Sequence, residues 1–427
     1  MREITIKDRK FQNKLDTVLV ENPTLQSVTI LVLVGVGSRY ESVERAGLAH
    51  FLEHVFFKGT AKRPSSKHIG MEIELLGGTT NAFTNYDYTG YYIKVPSHNF
   101  EKAVEILSDM INNSLFDEKE IEKERGVIIE EIRMYEDIPR AKVDDVFMTD
   151  VFGKHPLGRE ITGSVESVSS FRRKDFVEFV EENYNGSNML VSIGGDINSE
   201  SAFEIVKQHF SGLPEGKKAT FAKIAPHKLG GKIHFKDRKL EQSHIIFGGF
   251  GHPRASEHRY GYKVGNALLG YGFGSRLFLV IREKLGLAYY VGSDIPVFSE
   301  VGLFKVDMGV QNGKVGLAVN ATLQELAALK KGKFSDMELE RAKNILIGSM
   351  TTHLEGSDDL ASWYGQHKLL RNELANAEET IAKIRKVTKD DVLAAWESLL
   401  TADNLQFTIL GPEKFYKDKI DPTLIEK

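Results

Sequence analysis

The sequence predicts an α+β protein of two structurally similar halves, each a mainly antiparallel β-sheet packed with α-helices. Three observations carry that expectation. The chain has 427 residues, against roughly 150 for a single domain, so two or more domains are expected. β-branched strand patterns and helical patterns occur as runs along the whole length. One stretch also returns: Phe116-Asp-Glu-Lys-Glu-Ile-Glu-Lys-Glu-Arg-Gly-Val-Ile-Ile matches Phe334-Ser-Asp-Met-Glu-Leu-Glu-Arg-Ala-Lys-Asn-Ile-Leu-Ile without a gap. Both copies open on Phe and a helix cap, share their apolar spacing, and follow another helical segment (100–114 and 315–330). Glu124 falls on Ala342 in that overlay, and Glu131 on Ser349. The halves share a helical frame in which only the first keeps its acids, as expected if one half carries the chemistry.

In chain order, the first eight residues alternate charge with apolar side chains and predict an edge strand. Two further strands follow, one from Lys14 and a β-branched run from Ser27 closed by Gly35 and Gly37. A helix is expected around His50, and another over 67–76, stopped by Gly77 and Gly78. The Thr- and Tyr-rich stretch 79–95 reads as strand, 100–114 as helix, and 117–135 as a second helix. Pro139, Pro156 and Gly158 mark loops. A strand from Asn188 and a helix ending near Leu213 close the first half. Residues 211–232 contain two Gly-Lys pairs and two prolines and read as a linker. The expected division is therefore 1–212, a linker at 213–232, and 233–427.

Composition excludes several classes. Hydrophobic residues make up 41% and charged residues 27%, the balance of a protein with a large core. With 56 Lys and Arg against 60 Asp and Glu, the net charge of −4 offers no basic excess for nucleic acid. No apolar run is long enough to span a membrane, and the N-terminus lacks the apolar segment of a signal peptide. There is no Cys, so a metal site here must use His and carboxylates. These features point to a cytoplasmic protein and are compatible with a mature mitochondrial matrix form.

The chemistry centres on Gly47-Leu-Ala-His-Phe-Leu-Glu-His-Val-Phe-Phe57. On a helix His50 and His54 lie about 40° apart on one face, and Glu53 about 60° to the other side of His50. Two imidazoles at that spacing suit one zinc ion with positions left for a third ligand and a water, and Glu53 suits a general base. An amphipathic helix with polar flanks would show the same pattern. A third ligand has to come from another element, and the helix 117–135 offers carboxylates. Glu124 and Glu131 lie about 20° apart on one face, with Val127 and Ile128 between them turned largely the same way. Burying such acids is costly without a cation. Glu122, Glu124, Glu130 and Glu131 could equally form the solvated side of a charged helix, as Glu130 is expected to do.

Four motifs together settle the resemblance: His50-Phe-Leu-Glu-His-Val-Phe-Phe-Lys-Gly-Thr60, Asn81-Ala-Phe-Thr84, Glu124-Arg-Gly-Val-Ile-Ile-Glu-Glu131 and Arg282-Glu-Lys-Leu-Gly-Leu-Ala-Tyr289. The chain resembles, over essentially its whole length, the inverzincin or pitrilysin-type zinc metallopeptidases, which include insulysin and the mitochondrial processing peptidase. That resemblance implies one Zn2+ per chain on His50, His54 and Glu131. Glu131 is preferred to Glu130 because the family's second acid lies seven residues before the ligand. Glu53 is implied as the base and Glu124 as a supporting acid near the first histidine. Arg282 and Tyr289, brought together by the turn at Gly286, are implied to reach the substrate. Apart from the resemblance they read as a surface arginine and a core tyrosine. Asn81, Ala82, Phe83 and Thr84 are implied to bind an extended peptide by edge-strand addition. Asp87 stands where the family often has Glu. Phe56 and Phe57 suit either an apolar pocket or the core.

Relatives with four such domains enclose a chamber within one chain. Two domains here imply a homodimer, and a closed chamber favours short or unfolded peptides. The alternatives are a non-catalytic subunit of the same family, or a peptidase dedicated to presequences, for which no decisive acidic run is present. Gly270-Tyr-Gly-Phe-Gly274 follows a helical segment rather than a strand, so it does not read as a phosphate loop. His68, His98, His155, His227, His244, His252 and His353 have no ligand spacing.

Overall fold

The computed structural model describes residues 4–415 and 419–427, so residues 1–3 of the expected N-terminal strand lie outside the described residues. Two sheets form. The first contains β1 (Thr5–Lys10), β2 (Asp16–Glu21), β3 (Ser27–Val34), β4 (Thr79–Thr84), β5 (Thr89–Pro96) and β6 (Met189–Gly195), in the order β1-β2-β6-β3-β5-β4. The second contains β7 (Lys232–Asp237), β8 (Gln242–Gly251), β9 (Ala288–Asp294), β10 (Gly302–Gln311) and β11 (Gln406–Gly411), in the order β7-β11-β8-β10-β9. Each sheet has one parallel pair, β2 with β6 and β7 with β11, and is otherwise antiparallel. From β2 and β7 onward the strands of the two sheets correspond one to one, and β1 is an extra edge strand of the first. The strand pairing thus matches the expected α+β architecture of two similar halves.

The helices are α1 (Leu48–Val55), α2 (Ser66–Leu75), α3 (Phe100–Asn112), α4 (Glu118–Glu136), α5 (Pro139–Phe152), α6 (Val165–Ser170), α7 (Arg173–Asn183) and α8 (Ser199–Phe210). In the second half they are α9 (Arg259–Gly270), α10 (Val315–Lys330), α11 (Asp336–His353), α12 (Ser357–Arg371), α13 (Ala377–Arg385) and α14 (Lys389–Trp396). The aligned repeats become α4 and α11, which begin at corresponding positions.

Two compact units result, and each takes a helix from the other half of the sequence. The first unit is Met1–Met134, Arg159–Ala222 and Thr352–Ala375; the second is Tyr135–Gly158, Lys223–Thr351 and Asn376–Lys427. In the first unit α12 lies on β6, β3 and β2. This explains why β3 is apolar on both faces from Ile30 to Val34. Val28, Ile30, Val32 and Val34 enter the core beside α1 and α3, while Leu31 and Leu33 join Val18, Val20 and Leu190 against Leu360, Ala361 and Tyr364 of α12. Glycines let this helix come close: a Cβ on Gly365 would meet Ser192 Cβ at 2.7 Å, and one on Gly194 would meet the Ser357 carbonyl at 2.6 Å. In the second unit α5 lies on β11 and β8.

Two local expectations are corrected. The stretch 79–95 is not one strand but a hairpin, turned over 85–88 with Asn85 N donating to Tyr88 O at 2.9 Å. Pro139 does not mark a loop. It is the first residue of α5, where the missing N–H would have had no helical partner anyway.

Candidate metal centre

The site is built on α1. Gly47 caps it at φ +92°, and a Cβ there would meet the Thr162 carbonyl oxygen at 2.5 Å, so the position needs glycine on both counts. The first turn is capped from outside by buried Glu41, whose carboxyl accepts from Gly47 N at 2.8 Å and Ala49 N at 2.6 Å. Burial pushes the Glu41 carboxyl up to about 8, against the pull of the Ala49 and Gly47 N–H groups. Leu48, Phe51, Leu52 and Val55 fill the core. Phe51 packs edge-on to Phe176. The opposite face carries His50 and His54, with ring centres 4.9 Å apart.

Helix α4 brings Glu131 to that face. Its Oε1 lies 3.7 Å from His50 Nε2 and its Oε2 3.6 Å from His54 Nε2. These gaps are too long for good hydrogen bonds. They approach the edge of a tetrahedron whose bonds are about 2.1 Å, which is roughly 3.4 Å. One donor atom from each of the three residues lies within 4.8 Å of the others. Two imidazole nitrogens and one carboxylate oxygen are a donor set for zinc, so the residues fit the ion that the sequence implies. Burial, with His54 alongside, pushes the His50 imidazole down to about 4, leaving it neutral with a lone pair to give. His50 Nδ1 is buried without a hydrogen-bond partner among the described residues.

Glu124 corrects one expectation, because it touches the second histidine and not the first. His54 Nδ1 and Glu124 Oε1 are 2.9 Å apart, and Lys58 Nζ is 2.5 Å from Glu124 Oε2. Burial pushes Glu124 up, but its bonds to His54 and Lys58 outweigh that and hold it below the usual carboxylate range. The ionised carboxylate only accepts, so Nδ1 carries a proton, and in the neutral imidazole Nε2 keeps its lone pair toward Glu131. Burial lowers His54, yet the Glu124 bond and the nearby Glu53 and Glu131 carboxylates leave it above its ordinary value. Lys58 lies one turn past His54, a helical spacing that could have signalled its role. Glu41 gave no such signal, since it reaches α1 from a preceding loop.

Glu53 points to β4. Its Oε2 accepts the Thr84 hydroxyl at 2.6 Å. Burial and the Glu131 charge push its carboxyl up, and Thr84 and His54 only partly offset them. β4 is an edge strand of its sheet, so one side of its backbone is open to another strand. Asn81, Ala82, Phe83 and Thr84 all lie on it. Asp87 in the following turn pairs with fully buried Arg39 at 3.1 Å, and the Arg39 guanidinium stacks on Phe221 at 3.9 Å. Asp87 thus anchors the hairpin. Phe56 belongs to the core against Tyr91, Phe116 and Tyr184, while Phe57 is half-buried at its edge.

On α4 Val127 does not face inward with its neighbour: it is 52% exposed, while Ile128 is fully buried. Glu130 is solvated and pairs with Arg133, as expected. In the second unit Arg282 lies in the last turn of a π-helical segment over Phe278–Lys284. Its guanidinium lies 5.7 Å from the Tyr289 ring centre. Tyr289, on edge strand β9, is 75% exposed and is no core residue. Burial is the wrong criterion for it because it lies on the last strand of its sheet.

Fold and donor set together define an α+β protein of two similar units with a candidate metal centre on the first. The chain belongs to the insulinase family, peptidase family M16: its family model matches residues 16–165, and that of the M16 inactive domain matches 170–346. It is 33% identical over 404 residues to an uncharacterised zinc protease of Rickettsia felis, covering 94% of this chain and 97% of that one. With an uncharacterised zinc protease of Bacillus subtilis it shares 35% over 399 residues, 93% of this chain and 96% of the other. In fold it matches a protease from Helicobacter pylori with a TM-score of 0.90 at 24% identity, covering 96% of this chain and all of that one.

Proposed function

We propose that this protein is a zinc-dependent endopeptidase acting on short or unfolded peptides. The observation that carries the reading is the convergence of His50 Nε2, His54 Nε2 and Glu131 beside a carboxyl, Glu53, held one turn away. Held by His50, His54 and Glu131, zinc would supply a Lewis acid that lowers the pKa of a water to near neutrality and polarises a carbonyl. Glu53 takes the proton of the attacking water and passes it to the leaving amine, work suited to a carboxyl held above its usual range. Glu124 keeps His54 in the tautomer that can donate to a cation. The open edge of β4 binds the peptide backbone, which tolerates many sequences. Arg282 and Tyr289 donate to the oxyanion. Retention of both the donor set and the Arg–Tyr pair favours a self-sufficient enzyme over a non-catalytic subunit.

Glu53→Gln tests the reading with a quenched fluorescent peptide library and a zinc assay. The variant should keep its zinc and lose about 10²–10⁴-fold in rate. A wild type that binds zinc and cleaves nothing would make the chain a partner of another subunit. The active form is further proposed to be a homodimer that encloses the substrate in a chamber; full activity from a monomer in sizing with light scattering overturns that part.

A further inference from the structure

The edge strand and the general base meet at one residue. Side chains on β4 alternate, so Ala82 and Thr84 turn to the α1 face, where Ala82 packs on the core, while Phe83 packs on the opposite face with the α12 cluster. Only Thr84 on this strand reaches the base, and its hydroxyl donates a hydrogen bond to Glu53 Oε2 at 2.6 Å. That bond uses the donor the side chain would otherwise offer to a peptide. A free carboxylate has a broad terminal torsion. One short charge-assisted bond to one oxygen stops that rotation. Oε1 makes no hydrogen bond among the described residues.

We propose that Thr84 is the positioning residue for Glu53, not a substrate contact: it pins Oε2 so that Oε1 is presented to the water. The strand that aligns the peptide is then the strand that aligns the base. The Arg39–Asp87 pair, anchoring the turn that follows Thr84, keeps the end of β4 in place.

This inference rests on the peptidase reading, and the two are separable by experiment. Zinc-loaded Thr84→Val and Thr84→Ser are compared with wild type for kcat, KM and zinc content. Peptide Kd is measured by anisotropy for Glu53→Gln with and without Thr84→Val, where no turnover intervenes. The expected result is a fall in kcat of about 10–100-fold for Thr84→Val, since misplacing a reacting group by about 1 Å costs that much. KM, Kd and zinc content should hold, and Thr84→Ser should restore most of the rate. A raised KM and Kd at unchanged kcat would make Thr84 a substrate contact and overturn the proposal. So would loss of zinc alongside the rate, which would mark a general structural role. If wild type cleaves and Thr84→Val matches it, only this inference falls. If wild type cleaves nothing, the peptidase reading falls and takes it along.

Discussion

Glu124 shows how much one side chain decides here. It accepts a hydrogen bond from His54 Nδ1 on one oxygen and lies against the Lys58 ammonium on the other. The lysine keeps the carboxylate ionised, the carboxylate fixes the imidazole, and the imidazole offers its other nitrogen toward Glu131. Replacing an outer partner of this kind typically costs about 10–100-fold in metal affinity. Glu124→Gln should therefore weaken zinc binding by about that factor, read by competition with a chelator of known affinity. Lys58→Met should act in the same direction and less, because it leaves the His54–Glu124 bond in place. Unchanged zinc affinity in Glu124→Gln would remove the acid from this role. The same residue marks where the sequence reading stopped. Spacing placed Glu124 on the right face of α4, but which histidine it meets depends on how two helices cross, and no periodicity encodes that.

At the scale of elements, the segment leaving the metal helix is tied down by a single buried guanidinium. Arg63 bonds Glu72 of α2 at 2.6 Å, and Glu105 and Asp109 of α3 at 2.5 and 2.7 Å. Removing one partner of a buried ion pair costs about 3–5 kcal/mol, because it strands the others. Arg63→Met should lower urea-unfolding stability by about that amount, with Asp109, nearly fully buried, the main charge left unpaired. The network also sets a pH dependence. Burial pushes Glu105 up, but the bonds to Arg63, Lys102 and Lys62 outweigh it and bring the carboxyl down from 4.5 to about 2. A carboxyl depressed in the fold contributes stability that is present above its unfolded value and is lost as pH falls. Stability of the metal-free protein should therefore drop between about 4.5 and about 2. Arg63→Met should flatten that drop, and equal acid sensitivity in both proteins would refute the assignment. Elements with strong local signals were legible: the β-branched β3, the glycine-stopped α2, and the helix around His50. The 85–88 turn was not, because Asn85-Tyr-Asp-Tyr88 lacks glycine and proline. α5 was masked by reading Pro139 as a break when it stood at a helix start.

For the whole molecule, the duplication seen in the sequence is real in topology, yet neither half of the chain is a unit by itself. α5 follows α4 and α12 follows α11, and each of these equivalent helices packs on the sheet of the other half. Linear periodicity revealed the repeat. It could not reveal the exchange, because a buried helix face reads the same whichever sheet covers it. The exchange has an energetic consequence. Without α12 the first sheet would expose Val18, Val20, Leu31, Leu33 and Leu190, at about 1.5–3 kcal/mol for each side chain uncovered. That sum exceeds much of the total stability of a domain, about 5–15 kcal/mol. The lost seat also includes the Ser357–Thr29 hydroxyl contact at 2.9 Å and the Lys94–Asp358 pair at 2.7 Å. A fragment of residues 1–222 should thus fail to unfold cooperatively in urea and should aggregate. A peptide of residues 352–375 added in trans should restore cooperativity, and one carrying Leu360→Asp should not. If the bare fragment instead unfolds as a cooperative monomer, α12 is a dispensable cover, and the linker near residue 213 is the true boundary between independently stable halves.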